Sequence, residues 1–325
     1  MQPVPPPPVP YATPTVRPGW ADLPAELRMA IEERLGEPVR ADQGAAGGFT
    51  GGVATVLETA SGRVFVKAAP TTGQPHMADW YAREAAVTAA LPADVPAPRP
   101  RWTMSAAGHA VLCLDAVDGH SPALPWQTDE LTASLTAYAR AAAALADPPA
   151  ELTAVGLPRL ADLARSDLSW WREVASGREP APPLPPAARD RVSELADLEA
   201  LLPEYADTGG VIHCDLRADN VLVDRAGSAW FCDWTWACHG PAWFDLAGLL
   251  VGGYASGLPV DEIFASHPVG RDVPPQALDA TLAALSGYLL TGANPASAAP
   301  AALRAHRRWS GGTTLDWLIR RRDWR

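Results

Sequence analysis

Between residues 213 and 247 the chain reads His213-Cys214-Asp215-Leu216-Arg217-Ala218-Asp219-Asn220, then Cys232-Asp233-Trp234, then Asp245-Leu246-Ala247. An Asp stands two positions after a His, an Asn five after that Asp, and a second Asp thirteen after the Asn. These residue types fit phosphoryl transfer. Moving the γ-phosphoryl of ATP to a hydroxyl needs a carboxylate that orients the hydroxyl and accepts its proton. It also needs oxygen ligands for Mg²⁺, which neutralises phosphate charge. Asp215 suits the first task. Asn220 and Asp233 suit the second, as one neutral and one anionic ligand. His213 is expected to brace the loop through hydrogen bonds.

The elements around these residues must position them. Gly210-Val211-Ile212 and Ala229-Trp230-Phe231 read as short strands that deliver the two Asp clusters onto loops. Upstream, a helix is expected over 22–36, closed by Gly36. A Gly-rich turn follows, with Gly47, Gly48, Phe49 and Thr50 at its centre, between Asp42 and strands expected over 54–59 and 63–68. Glycines there let backbone N–H groups approach phosphates closely. No Gly-Lys-Ser/Thr follows, so this is not a Walker loop. Lys67 ends the second of these strands and is the one lysine of the chain, all the other basic residues being arginine. A helix expected over 76–91 carries Glu84, placed to pair with Lys67. A buried strand is expected over 110–114. Helices follow over 128–146, 160–174, 187–202, 243–251, 278–290 and 301–320, with a Pro-rich linker at 180–186. Strands thus gather early and helices late, which is an α+β arrangement.

The segment over 210–250 resembles the catalytic core of the aminoglycoside phosphotransferase family, small-molecule kinases with a protein-kinase-like fold. The His213–Asn220 loop, Asp233 and Asp245-Leu246-Ala247 carry the likeness, and the rest is collinear from about residue 40 onward. The resemblance implies a two-lobed fold, with a small sheet-rich N-lobe over 20–117 and a larger helical C-lobe over 118–325. It implies that Lys67 contacts the α- and β-phosphates and that Glu84 holds it there. It also implies that Leu114, Asp115, Ala116 and Val117 form the hinge whose backbone binds adenine, and that Asp245 braces the catalytic loop.

Composition sets the wider bounds. The chain has 325 residues, 48% of them hydrophobic, and no apolar run approaches the roughly 20 residues of a membrane span. Residues 1–19 read as a Pro-rich disordered arm without the pattern of a secretory signal. Four cysteines show no zinc-site spacing, as expected for reduced thiols in a cytoplasmic protein. A net charge of −11 disfavours nucleic acid as a partner and favours a cationic substrate. A monomer or weak dimer is expected.

The expected activity is therefore ATP- and Mg²⁺-dependent O-phosphorylation of a small hydroxylated molecule, an aminoglycoside or other amino-containing antibiotic or sugar. The alternative acceptor is a metabolite of the amino sugar, choline, homoserine or methylthioribose type. A protein kinase is disfavoured, because only 12 positions separate Asp233 from Asp245, too few for an activation segment. A pseudokinase scaffold is disfavoured by the intact set Lys67, Asp215, Asn220 and Asp233. The acceptor pocket is expected from residues 157–175, the loop after Trp234 and the C-terminal helices. Asp162, Asp167, Glu173, Asp261, Glu262 and Asp316 are its candidate acids. Trp234 and Trp236 read equally as packing or as a wall for a sugar ring or cation, and Trp243 as packing.

Overall fold

A computed structural model describes residues 18–45, 52–297 and 299–325. Most of the arm expected over 1–19, and Gly47, Gly48, Phe49 and Thr50, therefore lie outside the described residues. The first part contains α1 (Ala25–Leu35), β1 (Ala41–Gly44), β2 (Val53–Glu58), β3 (Arg63–Pro70), α2 (His76–Ala90), β4 (Pro100–Ala106) and β5 (His109–Asp115). Its strands form one antiparallel sheet in the order β1-β2-β3-β5-β4.

Side chains alternate across a strand with period two, and β3 shows what that does here. Val64, Val66 and Ala68 join the core beneath α1, with Leu27, Ile31 and Leu57. Phe65 and Ala69 face the other way, into the cluster with Met77, Tyr81 and Leu112 beneath α2. Lys67 falls on this second face. On α2 the buried positions Met77, Tyr81, Glu84 and Thr88 recur at helical spacing. The apolar pattern thus brings Lys67 and Glu84 to one interface. Full burial of Leu27 and Ile31 contributes about 1.5–3 kcal/mol each to holding the sheet.

The second part begins with β6 (Gly119–His120) and α3 (Thr128–Leu145). It continues through α4 (Ala150–Thr153), α5 (Leu160–Ser166), α6 (Trp170–Ala175), α7 (Pro186–Arg189), α8 (Val192–Glu199) and α9 (Leu202–Tyr205). Next come β7 (Val211–Ile212), β8 (Val221–Asp224), β9 (Ala229–Phe231) and β10 (Cys238–His239). It ends with α10 (Ala242–Ala255), α11 (Val260–Ser266), α12 (Pro275–Thr291) and α13 (Ala301–Arg321). A sheet-rich first lobe on a helical second lobe is the expected kinase-like α+β fold.

Several elements differ from expectation. The helix expected over 160–174 is broken. The N–H groups of Asp167 and Leu168 both donate to Leu163 O, at 2.7 and 3.1 Å, and Ser166 Oγ donates to Asp167 Oδ2 at 2.6 Å. Such local side-chain bonds compete with helix continuation. The helix expected over 187–202 is likewise divided among α7, α8 and α9. The two short strands expected here form as β7 and β9, and each pairs with a strand that was not expected: β7 with β10, and β9 with β8.

Candidate active site

The Lys67 ammonium donates to Glu84 Oε1 and Oε2 at 2.8 Å each and stands 3.5 Å from Asp233 Oδ1. Burial works against its charge, but Asp233 and Glu84 outweigh burial and raise its pKa above the ordinary lysine value. The Glu84 side chain is 1% exposed. Burial pushes its carboxyl up, and Lys67 pulls it back. Burial also raises Asp233, yet Lys67 and the Thr235 hydroxyl, which donates to Oδ1 at 2.9 Å, hold it below the usual carboxylate value. One fixed ammonium therefore joins α2 to the loop after β9.

The catalytic loop hangs between β7 and β8. Asp245, buried near the start of α10, accepts the N–H of His213 at 2.7 Å and that of Cys214 at 2.8 Å. Cys214 has φ 67°, a left-handed conformation that costs a non-Gly residue free energy and persists only where its surroundings impose it. Helix α10 approaches closely at Gly248, where a Cβ would lie 3.0 Å from Leu216 O. His213 Nδ1 accepts the Asp215 N–H at 3.3 Å, and Nε2 lies 2.9 Å from Cys232 O. This pattern fits a neutral ring protonated at Nε2, and burial lowers the His213 pKa accordingly. His213 braces the loop, as expected.

The β8–β9 hairpin sets the two candidate metal ligands side by side. Val221 pairs with Phe231, and the Cys232 N–H donates to Asn220 O at 3.0 Å. Asn220 thus opposes Cys232, and Asp233 follows with φ 66°. Asn220 Nδ2 donates to Asp215 O at 2.7 Å, which turns the amide oxygen away from Asp215. Among the described residues no group of three His, Cys, Asp or Glu side chains forms a metal cage. Two oxygen ligands on one wall suit Mg²⁺, which takes one or two protein oxygens and fills its shell with phosphates and water.

Sequence reading missed four contributors. Arg217 bonds Asp215 Oδ1 at 2.5 Å and grips Asp219 with its Nε at 3.0 Å and a terminal nitrogen at 3.1 Å. Burial raises the Asp215 carboxyl to about 7, with Arg217 opposing. Arg83 on α2 donates to Thr235 O at 2.9 Å and to Ala237 O at 3.0 Å, clamping the segment after Asp233. Thr235 itself is the fourth. An Arg two positions after an Asp was the available signal for Arg217; Arg83 had none, since its partners are backbone carbonyls. The tryptophans separate. Trp234 is buried against His213, with ring centroids 4.7 Å apart. Trp236 is 50% exposed and meets Trp80 edge-on at 5.3 Å.

Lys67, Glu84, Asp215, Asn220 and Asp233 all line one cleft of about 900 Å³ between the lobes. Of the expected hinge, Leu114, Asp115 and Val117 line it too. Ala116 does not; it lines a separate depression behind the hinge, beside Arg99 and Trp230. The cleft is also lined from α5, the α5–α6 turn, α10, α12 and α13, the region where the acceptor was expected. The acids expected there are a correction. Only Asp167 lines the cleft. Asp162 pairs with Arg165, Glu173 with Arg178, and Asp261 with Arg321. Asp316 accepts the Tyr254 hydroxyl at 2.7 Å. Asp162 and Glu173 are held by arginines three and five positions on, and packing of separate helices gives Asp261 and Asp316 their partners.

A kinase-type cleft with this loop is the mark of a phosphoryl-transfer enzyme. Residues 43–309 match the model of the phosphotransferase enzyme family. The chain belongs to that family, and the expected class, a phosphotransferase with an alcohol group as acceptor, stands with it. Solved structures share the fold. A thermostable mutant of aminoglycoside phosphotransferase APH(4)-Ia, in ternary complex with AMP-PNP and hygromycin B, is 15% identical with TM-score 0.64, covering 92% of this chain and 99% of that one. An aminoglycoside phosphotransferase from Alicyclobacillus acidocaldarius is 16% identical with TM-score 0.53, covering 88% and 92%. A protein assigned as a fructosamine-3-kinase from Haemophilus somnus 129PT is 13% identical with TM-score 0.54, covering 89% and 96%. No curated protein matches the chain. Among the described residues no helix is long and apolar enough to cross a membrane.

Proposed function

We propose that this chain transfers the γ-phosphoryl group of ATP to a hydroxyl of a small molecule. The carrying observation is the convergence of Asp215, Asn220, Asp233 and the Lys67–Glu84 pair on one cleft. Asp215 orients the acceptor hydroxyl and takes its proton as the oxygen attacks phosphorus. Lys67 holds the α- and β-phosphates, and Glu84 fixes Lys67. Leu114, Asp115 and Val117 border the adenine. Asn220 and Asp233 would hold Mg²⁺, which supplies charge neutralisation on the phosphates. Positioning and fixed electrostatics provide most of the acceleration.

The neighbours bound to AMP-PNP support a nucleotide substrate. The hygromycin B bound beside it supports a small hydroxylated antibiotic as acceptor. The neighbour assigned as a fructosamine-3-kinase supports the metabolic alternative. The free thiols of Cys113, Cys214, Cys232 and Cys238 fit a cytoplasmic setting. A coupled ADP-release assay with ATP and Mg²⁺, run over aminoglycosides, amino sugars, amino alcohols and neutral glycosides, tests this function. Acceptor-dependent ADP release, with phosphate recovered on the acceptor, is expected. Release that no hydroxyl compound alters contradicts it.

A further inference from the structure

We propose that the acceptor end of the cleft takes a neutral hydroxylated molecule with an extended apolar face, in place of a polycation; this rests on the kinase reading above. Past Asp215 the cleft is walled by five half-buried leucines: Leu163 of α5, Leu168 of the α5–α6 turn, Leu285 and Leu289 of α12, and Leu303 of α13. Only three large hydrophobic side chains are exposed among the described residues: Met29, Trp236 and Tyr288. Two of them, Trp236 and Tyr288, stand on this cleft. Exposed aromatics gathered at one concavity mark a surface that apolar ligand covers.

The charges agree. Outside the catalytic loop, its brace Asp245 and the nucleotide side, the described residues of the cleft offer one carboxylate, Asp167, and one guanidinium, Arg307. Arg307 lies over the Tyr288 ring, 5.5 Å from its centroid. Ser310 and Thr314 add hydroxyl oxygens. A polycation needs a carboxylate or carbonyl for each ammonium it buries, because an unpaired buried charge is costly. Here a second ammonium would meet leucine or Arg307. The acidic balance of the whole chain does not reach this surface, since its candidate carboxylates are bound to arginines and a tyrosine elsewhere.

Calorimetry on the full chain tests this. AMP-PNP with Mg²⁺ is titrated first, and its saturable binding is a separate check of the kinase reading. Alkyl glucosides from methyl to octyl are then titrated into the nucleotide complex, beside an aminoglycoside carrying several ammonium groups, at low and high salt. Affinity for the glucosides is expected to rise about two- to fourfold per methylene while the chain stays on the leucines, with little response to salt. Leu289→Asp should flatten that series. Tyr288→Ser, at a more exposed position, should weaken it too, and serves if the first variant unfolds. An aminoglycoside that binds more tightly than every glucoside, and weakens as salt rises, overturns the inference and leaves the kinase reading standing. A series with no dependence on chain length does the same. Absence of nucleotide binding overturns the kinase reading, and the inference with it.

Discussion

The Lys67 ammonium sits 2.8 Å from both carboxylate oxygens of Glu84 and 3.5 Å from Asp233. Strand alternation on β3 and helical spacing on α2 create this relationship before any ligand arrives. Lys67→Met should lower kcat/KM for ATP by about 100-fold or more, the scale of a lost preorganised charge contact. Stability should fall far less, because Glu84, already pushed up by burial, can take a proton once its partner is gone. Steady-state kinetics beside urea unfolding check the split; equal losses in both would make Lys67 structural only.

Asp233→Asn keeps the size and removes the anionic oxygen facing Lys67. Half-saturation for Mg²⁺ should shift upward, and high Mg²⁺ should restore part of the rate. A Mg²⁺ titration of activity identical to wild type would take Asp233 out of ligation.

Asp245→Ala strips the acceptors from two buried backbone N–H groups, those of His213 and Cys214. A loss of about 2–4 kcal/mol is expected, with a fall in kcat, since Cys214 is released from its left-handed conformation. Chemical denaturation and turnover read both effects. Asp245→Asn keeps one acceptor oxygen and should lose less.

Glu199 gives a pH prediction remote from the active site. Its buried carboxylate accepts the N–H groups of Trp171 at 3.0 Å and Arg172 at 2.6 Å, at the start of α6. Burial raises its pKa from 4.5 to about 7, against those two bonds. The folded protein thus holds this proton more tightly than the unfolded chain does. The stabilisation is complete below 4.5 and is lost as pH rises through about 7. Relative to Glu199→Gln, wild type should therefore lose Tm between about pH 5 and about pH 8. Parallel Tm curves would contradict the raised pKa.

Local features were the legible ones. The offsets among His213, Asp215, Asn220 and Asp233 lie in one short segment, and the strands at 211–212 and 229–231 are marked by their own apolar runs, while β8 between them is not among the expected strands. Lys67 and Glu84 could be paired because each sits at a definite phase of a periodic element. Arg217 was overlooked because its pairing with Asp215 depends on the loop's path, which Asp245 sets from 28 positions beyond Arg217. The acceptor surface was not legible. Asp162 and Glu173 are taken up by arginines three and five positions on, and Asp261 by an arginine sixty positions on, so which face each presents depends on where the helices break and how they pack. A net charge of −11 describes the whole surface and not that wall.

The central claim is that Asp215 is the carboxylate that handles the acceptor hydroxyl. It is tested most directly by measuring kcat and nucleotide affinity together for Asp215→Asn, with an acceptor identified in the ADP-release assay. The account predicts a kcat lower by about 100-fold or more, the scale of lost general-base catalysis, with AMP-PNP affinity within about threefold of wild type, because Lys67, Glu84 and the hinge are untouched. An Asp215→Asn enzyme that turns over at the wild-type rate would contradict it.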